Sequence, residues 1–264
     1  MPSLNQAPHT KTPLLIQSWC WLRIALHVVY GLLLLSIRFP FAQQRTKDQY
    51  IQSWSLTLLS IFGITLRIRN QEILPSTPYM LAANHISWMD IHAINAFKPI
   101  RFVAKSEVAS WPIFGWMARQ LGTVFIRRDS TRHGKHIAGE LGTLLHHESV
   151  CIFPEGTSTS GGNALPFKPN LFEAAVLANT PVFSLAISYK SSLTNQRTEV
   201  PAFIGDMGLL ESICNMLRDR HLLVELVFLL PAGSSPDSPK DRKWLALHSQ
   251  EAIAAQLSSD NSSM

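Results

Sequence analysis

Residues 79–90 (YMLAANHISWMD) constrain the fold more than any other stretch, because an apolar run stops abruptly at Asn84 and His85. The run follows the turn signal Pro-Ser-Thr-Pro and has the length of a buried strand. Apolar residues then recur at helical spacing, at Trp88, Ile91 and Ile94. The pattern predicts a strand that passes directly into a helix, with His85 at the junction.

Asp90 is the next carboxylate after His85. Five residues of regular helix rotate a side chain by roughly 140°, so the two side chains would not share a face if both residues were helical. We therefore expect His85 in the turn, with Asp90 reaching back from the first turns of the helix to one ring nitrogen. The other nitrogen could then take a proton from a hydroxyl. The pair lacks its own serine and suits a reaction in which the substrate supplies the nucleophilic hydroxyl.

The 264-residue chain is 46% hydrophobic and 16% charged, with a formal net charge of +5. This length fits one α/β domain with an added segment. Low charge content favours a membrane partner, and the basic excess suits anionic lipids or anionic substrates. No Lys/Arg-rich run is interleaved with aromatic residues, so nucleic acid is not expected as a partner.

The three cysteines, Cys20, Cys151 and Cys214, are far apart and lie in apolar surroundings. An odd number of such residues predicts reduced, buried thiols in a protein that faces the cytosol. The spacing of cysteines and histidines matches no metal-binding pattern, so no metal is expected.

The N-terminal part is predicted to differ from the rest of the chain. Residues 1–13 are polar with three prolines and are expected to be a disordered tail. Residues 14–66 hold two apolar runs joined by a basic connection, which predicts a membrane-embedded or interfacial helical hairpin. The longest uninterrupted part of the first run, residues 28–37, is shorter than the roughly 20 residues that span a bilayer. A signal peptide and a pair of soluble core helices are the alternatives.

Residues 67–258 are predicted to form one domain in which short apolar strands alternate with helices. The expected strands are residues 66–69, 79–83, 100–104, 122–129, 149–153, 182–188 and 222–230. Such alternation predicts an α/β fold with a mixed, mostly parallel sheet flanked by helices, preceded by the N-terminal membrane-associated two-helix segment. Residues 259–264 are expected to be a polar tail.

A second polar turn, PEGTSTSGG at residues 154–162, follows the strand at 149–153. Ligands of open α/β sheets bind where strands end, so this turn is expected to face His85 across a site. Its glycines permit close backbone approach, and its amides and hydroxyls can bind a ligand. The alternative is a flexible Gly/Ser loop. A serine hydrolase is disfavoured because the Gly-x-Ser-x-Gly motif is missing around Ser158.

Four blocks in order resemble the glycerolipid and lysophospholipid acyltransferases, a family that includes 1-acylglycerol-3-phosphate acyltransferase. NHISWMD carries the His-x4-Asp box as His85 and Asp90. The other blocks are KSEVASWPIFGWMARQLGTVFIRRD, FPEGT with a following Phe-Lys, and TPVFSLAI. The resemblance covers roughly residues 80–190.

This resemblance implies acyl transfer from a thioester, acyl-CoA or acyl carrier protein, to the free hydroxyl of a lysolipid, with no other cofactor. His85 would be the general base and Asp90 its orienter. The implied substrate-binding residues are Lys105, Arg128, Glu155, Gly156, Thr157 and Lys168. Among them, Glu155, Gly156 and Thr157 would line the acceptor pocket, and Arg128 and Lys168 would meet negative charge. Alternatively, Glu155 and Arg128 could form an ion pair that shapes the site without touching substrate.

The implied location is a membrane, with the active site facing the cytoplasm, as at a bacterial inner membrane. The implied partners are membrane lipids, the lysolipid acceptor and the acyl donor. The first expected acceptor is 1-acylglycerol-3-phosphate, which would make the reaction a step of phosphatidate synthesis.

One position departs from the family pattern. Many members that use a phosphate-headed acceptor have an arginine directly after the Thr of FPEGT, where this chain has Ser158. Arginine is the usual residue for binding phosphate through two parallel hydrogen bonds. The segment FPEGTSTSGG…LPFKPNLFEAA more closely resembles the lyso-ornithine lipid acyltransferases, so O-acylation of lyso-ornithine lipid or another lysophospholipid is the alternative. Further alternatives are a non-catalytic lipid-binding protein and a lipase or thioesterase that uses Ser87.

Overall fold

The computed structural model describes residues 11–126, 131–232 and 241–262. Its helices are α1 (Leu14–Leu33), α2 (Gln44–Phe62), α3 (Met89–Phe97), α4 (Phe114–Gln120), α5 (Thr131–Leu145), α6 (Glu173–Leu177), α7 (Leu209–Arg218) and α8 (Arg242–Ser262). Its strands are β1 (Ile64–Arg69), β2 (Met80–Ala83), β3 (Arg101–Lys105), β4 (Val124–Ile126), β5 (Val150–Ile152), β6 (Val182–Ser191) and β7 (Leu222–Ala232).

The strands form one sheet in the order β1-β7-β6-β2-β5-β3-β4. Every neighbouring pair is parallel except β6 with β7, which is antiparallel. The prediction of a mixed, mostly parallel sheet flanked by helices is therefore confirmed. β2 lies at the centre, and all four of its residues are buried because helices cover both faces. We call the side of the sheet where β2 and β5 end the C-terminal edge.

Two apolar layers enclose the sheet. One contains buried residues of α2, α3 and α7, and the other contains those of α5, α6 and α8. Alternate residues of β6 serve the two layers, since Leu185 and Ile187 belong to the first and Val182 and Ala186 to the second. The sheet core thus holds the end of β2 rigidly from both sides.

The N-terminal helices differ in what they bury. In α2, residues such as Leu58 and Phe62 are buried in the domain core. By contrast, α1 leaves large apolar side chains in solvent, among them Leu15 and Trp19. Through a π-helical turn and a 3-10 turn, α1 extends into the segment Leu14–Phe41, which is long and apolar enough to cross a membrane. This exposed apolar face indicates membrane association.

The element boundaries depart from the predicted ones. Gly63, with φ 67°, ends α2 in a left-handed conformation, and β1 starts at once, before the predicted domain start at 67. At the other end, α8 continues past residue 258 to Ser262. Asp260 lies 3.9 Å from both Arg69 and Lys190, which ties the last turn of this helix to the sheet. The predicted polar tail is therefore helical as far as residue 262, and residues 1–10 lie outside the described part of the chain.

The segment after β3 does not form one continuous helix. It forms a 3-10 turn, Ser106–Ser110, and only then the short helix α4, because Pro112 cannot donate a backbone hydrogen bond and Ile113 has φ 64°. Cys20 and Cys151 are buried, as predicted, whereas Cys214 is partly exposed.

Candidate active site

His85 lies in the turn that joins β2 to α3, and Asp90 lies in the first turn of α3. The His85 Nδ1 and Asp90 Oδ2 atoms are 2.9 Å apart. The imidazole is partly exposed at 22%, whereas the carboxylate is fully buried. Asp90 thus fixes the Nδ1 atom of His85, while the rest of the imidazole ring remains accessible to solvent.

Asp90 accepts hydrogen bonds from four donors. Its Oδ2 accepts from the backbone amides of Ile86 (2.7 Å) and Ser87 (2.9 Å) as well as from His85 Nδ1. Its Oδ1 accepts from the hydroxyl of Tyr189 at 2.8 Å. An ionised carboxylate can only accept, so the proton of the neutral imidazole belongs on Nδ1. The lone pair of His85 therefore lies on Nε2.

Tyr189 is a stable hydrogen-bond donor to Asp90, because its phenol stays protonated. Burial, together with the neighbouring charge of Asp90, raises the pKa of the Tyr189 phenol well above its ordinary value. The phenol therefore keeps its proton and continues to donate to Asp90. This residue comes from β6, and the sequence pattern did not single it out.

Two further residues fix the turn around His85. Phe153 stacks against the imidazole with ring centroids 4.1 Å apart. The side chain of Asn84 bridges β2 to β6, accepting from the Ile187 amide at 2.8 Å and donating to its carbonyl at 3.0 Å. Asn84 is fully buried, so these bonds satisfy polar atoms that water cannot reach.

Glu155 lies beneath the second polar turn and not on its surface. Its Oε1 accepts from the His85 amide at 2.7 Å, and its Oε2 accepts from the Leu165 amide at 3.0 Å. Burial raises the pKa of this carboxyl, and the two amide donors oppose that rise. Glu155 therefore joins the two polar turns through the backbone, a role that differs from the predicted contact with the acceptor.

The loop at residues 156–162 closes over the His85 turn. Thr159 donates its amide (2.8 Å) and its hydroxyl (3.2 Å) to the carbonyl of His85. Gly161 has φ 81°, and a Cβ there would come within 2.5 Å of the Ile86 side chain. Gly156 is partly buried and Thr157 exposed at the start of this loop. The two polar turns thus meet at the C-terminal edge.

A third segment, residues 197–203, completes this edge and had no signal in the sequence. The Phe203 amide donates to the carbonyl of Ile86 at 2.9 Å, and the hydroxyl of Ser158 donates to the carbonyl of Phe203. Arg197 donates to the carbonyl of Ser160 at 3.3 Å. These contacts join residues far apart in the chain, so no local motif could reveal them.

The remaining predicted binding residues lie near the edge or outside the described chain. Lys105 ends β3 at the same edge, with an exposed side chain. Lys168 is also exposed, and its amide donates to the carbonyl of Pro154 at 3.0 Å. Arg128 falls outside the described residues, and so does any ion pair of Arg128 with Glu155.

Ser87 was the candidate nucleophile for a lipase or thioesterase. It is fully buried, and its Oγ accepts a hydrogen bond from the amide of Met89 at 3.2 Å. A hydroxyl that is buried and bonded to the backbone in this way is closed to a substrate carbonyl. The structure therefore argues against Ser87 as a nucleophile.

The chain is similar to known acyltransferases. The acyltransferase family profile matches residues 65–188. A lyso-ornithine lipid O-acyltransferase of Pseudomonas aeruginosa is 35% identical over 83% of this chain and 83% of its own length. A 1-acyl-sn-glycerol-3-phosphate acyltransferase of Neisseria gonorrhoeae is 36% identical over 69% of this chain and 70% of its own.

The fold also matches a solved structure. The crystal structure of the 1-acyl-sn-glycerophosphate acyltransferase of Thermotoga maritima superposes with a TM-score of 0.66 at 19% identity. The match covers 93% of this chain and 96% of the other. Together with the sequence relatives, which extend over most of the chain, these results show that the protein belongs to the acyltransferase family.

Proposed function

We propose that the protein is an O-acyltransferase that moves a fatty acyl group from acyl-CoA or acyl carrier protein to the free hydroxyl of a lysolipid. The observation that carries the proposal is the 2.9 Å contact between His85 Nδ1 and Asp90 Oδ2, which leaves the Nε2 lone pair of an accessible imidazole available. A base without a neighbouring serine suits an acceptor that brings its own hydroxyl.

The proposed reaction begins when Nε2 of His85 removes the proton of the acceptor hydroxyl. The oxygen then attacks the thioester carbonyl carbon, which gives a tetrahedral oxyanion and an imidazolium held by Asp90. Collapse of the oxyanion breaks the carbon–sulfur bond, and the departing thiolate takes the proton from Nε2. The products are the O-acyl ester and the free thiol, and His85 returns to its starting form.

In this proposal the residues around His85 act by position. Asp90 keeps the proton of the neutral ring on Nδ1 and stabilises the imidazolium. Glu155 is a positioning residue, because both of its oxygens are engaged with backbone amides. Gly156 and Thr157 form the surface on which the acceptor would lie, and Lys105, Lys168 and Arg128 are the proposed contacts for negative charge on acceptor or donor.

Two acceptor classes fit the proposal. 1-Acylglycerol-3-phosphate is the acceptor named for the Neisseria relative, and lyso-ornithine lipid is the one named for the Pseudomonas relative. Ser158 favours the second class, because its hydroxyl is engaged with the carbonyl of Phe203 and supplies no charge for a phosphate.

The proposed location is the cytoplasmic face of a membrane, such as a bacterial inner membrane. The exposed apolar face of α1 supports lipid contact, and the free cysteines are those of a reducing compartment.

The test is transfer from labelled acyl-CoA and labelled acyl carrier protein to lysophosphatidate, lyso-ornithine lipid and lysophosphatidylglycerol. Wild type is compared with His85→Ala and Asp90→Asn, and the surface variant His146→Ala is the matched control. We expect transfer to disappear in His85→Ala, to fall strongly in Asp90→Asn and to persist in His146→Ala. Full transfer by His85→Ala would refute the proposed base. Lack of transfer by wild type to every acceptor would favour a binding protein.

A further inference from the structure

Arg197 and Glu199 lie beside the loop that closes the candidate active site. Arg197 pairs with Lys190 in an antiparallel bridge, and the amide of Thr198 donates to the carbonyl of Tyr189 at 3.0 Å. This segment therefore continues the sheet next to the end of β6. Because side chains two residues apart in an extended segment point the same way, Arg197 and Glu199 share a face.

The loop is shaped to receive the Arg197 side chain. Its Nη2 donates to the carbonyl of Ser160, and a Cβ on Gly162 would come within 2.7 Å of that same Nη2 atom. A larger residue at 162 would displace the guanidinium. The next loop residue on the other side of Ser160 is Thr159, which binds the carbonyl of His85. Arg197 thus binds Ser160, the neighbour of the loop residue that contacts the backbone of His85.

Glu199 gives this cation a carboxylate partner. Its Oε1 lies 3.8 Å from Arg197 Nη2, and its side chain is 66% exposed, compared with 23% for Arg197. An exposed pair of this kind contributes little stability and can exchange partners readily. A guanidinium has five N–H donors in a fork that fits a carboxylate, so the Ser160 and Glu199 contacts do not exhaust it.

Together the two side chains form a dipolar surface instead of a purely cationic one. Position 158 holds a serine, which carries no charge and whose hydroxyl is bonded to the carbonyl of Phe203. Arg197 brings a positive charge to this loop, and Glu199 accompanies it with a negative one. A phosphate monoester would meet the arginine but would be repelled by the neighbouring carboxylate.

We propose that Arg197 and Glu199 form a headgroup subsite for a zwitterionic, amino-acid-headed lysolipid. The headgroup carboxylate would bind the guanidinium of Arg197, and the headgroup ammonium would bind Glu199. Ornithine carries both groups once its α-amino group is amidated, since the carboxylate and the side-chain ammonium remain free. This inference rests on the proposed acyltransferase function and names the acceptor class of the same site.

The experiment measures kcat/KM for lyso-ornithine lipid and for 1-acylglycerol-3-phosphate with one acyl donor in the same detergent. The variants are Arg197→Gln, Arg197→Lys and Glu199→Gln in the full chain. The matched control is Arg242→Gln, which breaks the ion pair with Glu173 (3.4 Å) between α8 and α6. Thermal unfolding of each variant shows whether it is folded.

We expect Glu199→Gln to lower the ratio of lyso-ornithine to lysophosphatidate transfer by about tenfold, through a higher KM for the zwitterion, because one charged hydrogen bond is lost. Arg197→Gln should raise the KM for lyso-ornithine lipid. Arg197→Lys should raise this KM less, because lysine keeps the positive charge. Arg242→Gln should leave the ratio unchanged.

Two results would overturn the inference while leaving the acyltransferase function intact. One is an unchanged ratio in both charge-removing variants, and the other is a wild-type enzyme that acylates only lysophosphatidate. If Arg197→Gln does not fold, the exposed residue Glu199 still decides the question. Absence of transfer to either acceptor would instead contradict the proposed function itself.

Discussion

The hydroxyl of Tyr189 donates to Oδ1 of Asp90 at 2.8 Å, which joins the end of β6 to the first turn of α3. Both residues are buried, so this bond satisfies the carboxylate oxygen that His85 does not use. The base, its carboxylate and the central sheet therefore form one connected hydrogen-bond network.

Replacing Tyr189 with phenylalanine should reduce activity without removing the base. The variant leaves a buried carboxylate oxygen without its donor, which lowers the free energy of unfolding by about 1–3 kcal/mol. We expect kcat to fall by roughly tenfold as His85 loses its fixed orientation, and the unfolding temperature should fall with it. Steady-state kinetics and thermal unfolding measure both effects. Tyr50→Phe, in α2, is the control, and an unchanged kcat in Tyr189→Phe would show that Asp90 needs no second support.

Glu155→Gln tests whether Glu155 positions the His85 turn or contacts the acceptor. The amide group places an N–H donor against one of the two backbone N–H donors, so one of the two hydrogen bonds that hold the Glu155 side chain is lost. We expect kcat to fall by about 10²-fold while KM changes little, since the lost interaction is positional. A variant in which KM rises and kcat is preserved would instead make Glu155 an acceptor contact. Glu211→Gln, on the exposed side of α7, is the matched control.

Gly161→Ala should disturb the loop that covers His85. At φ 81° an alanine is strained, and its Cβ would also press on Ile86, which is 2% exposed. Gly205 has φ 63°, but a Cβ added there would meet nothing within 4 Å, so Gly205→Ala isolates the backbone strain, about 1–2 kcal/mol. We expect Gly161→Ala to be more destabilising than Gly205→Ala and to lower acyl transfer. Equal unfolding temperatures for the two variants would contradict the contact with Ile86.

His92 should make stability depend on pH. Its ring contacts Trp54 and Trp88, with centroid distances of 5.2 Å and 5.9 Å. Burial, with a smaller contribution from His27, lowers the pKa of His92 to about 3, from the ordinary 6.5. Between these values the unfolded chain binds a proton that the folded one does not. The free energy of unfolding therefore falls as pH drops below 6.5, by up to about 1.4 kcal/mol per pH unit.

His92→Leu should flatten that dependence. Thermal unfolding between pH 4 and pH 7 in one detergent compares wild type with His92→Leu, and His221→Gln is the surface control. The prediction fails if wild type and His92→Leu lose stability in parallel over this interval.

The strand, turn and helix around His85 could be predicted from the sequence because the signals are local. An apolar run, a polar break and a helical period all lie within residues 79–94, and backbone geometry relates them directly. The same holds for the alternating strands and helices that predict a mostly parallel sheet. Helix α7 did not emerge from these patterns, and neither did the division of the segment after β3 into a 3-10 turn and the short helix α4.

The local sequence also determined which residues could form the base and its carboxylate, since His85 and Asp90 are five positions apart. Only the tertiary structure decided what surrounds them. Tyr189, in β6, donates a hydrogen bond to Asp90, and Glu155 accepts from two backbone amides. The guanidinium of Arg197 packs against Gly162. Such partners are selected by packing between segments that are distant in the chain, and a periodic pattern within one segment carries no information about them.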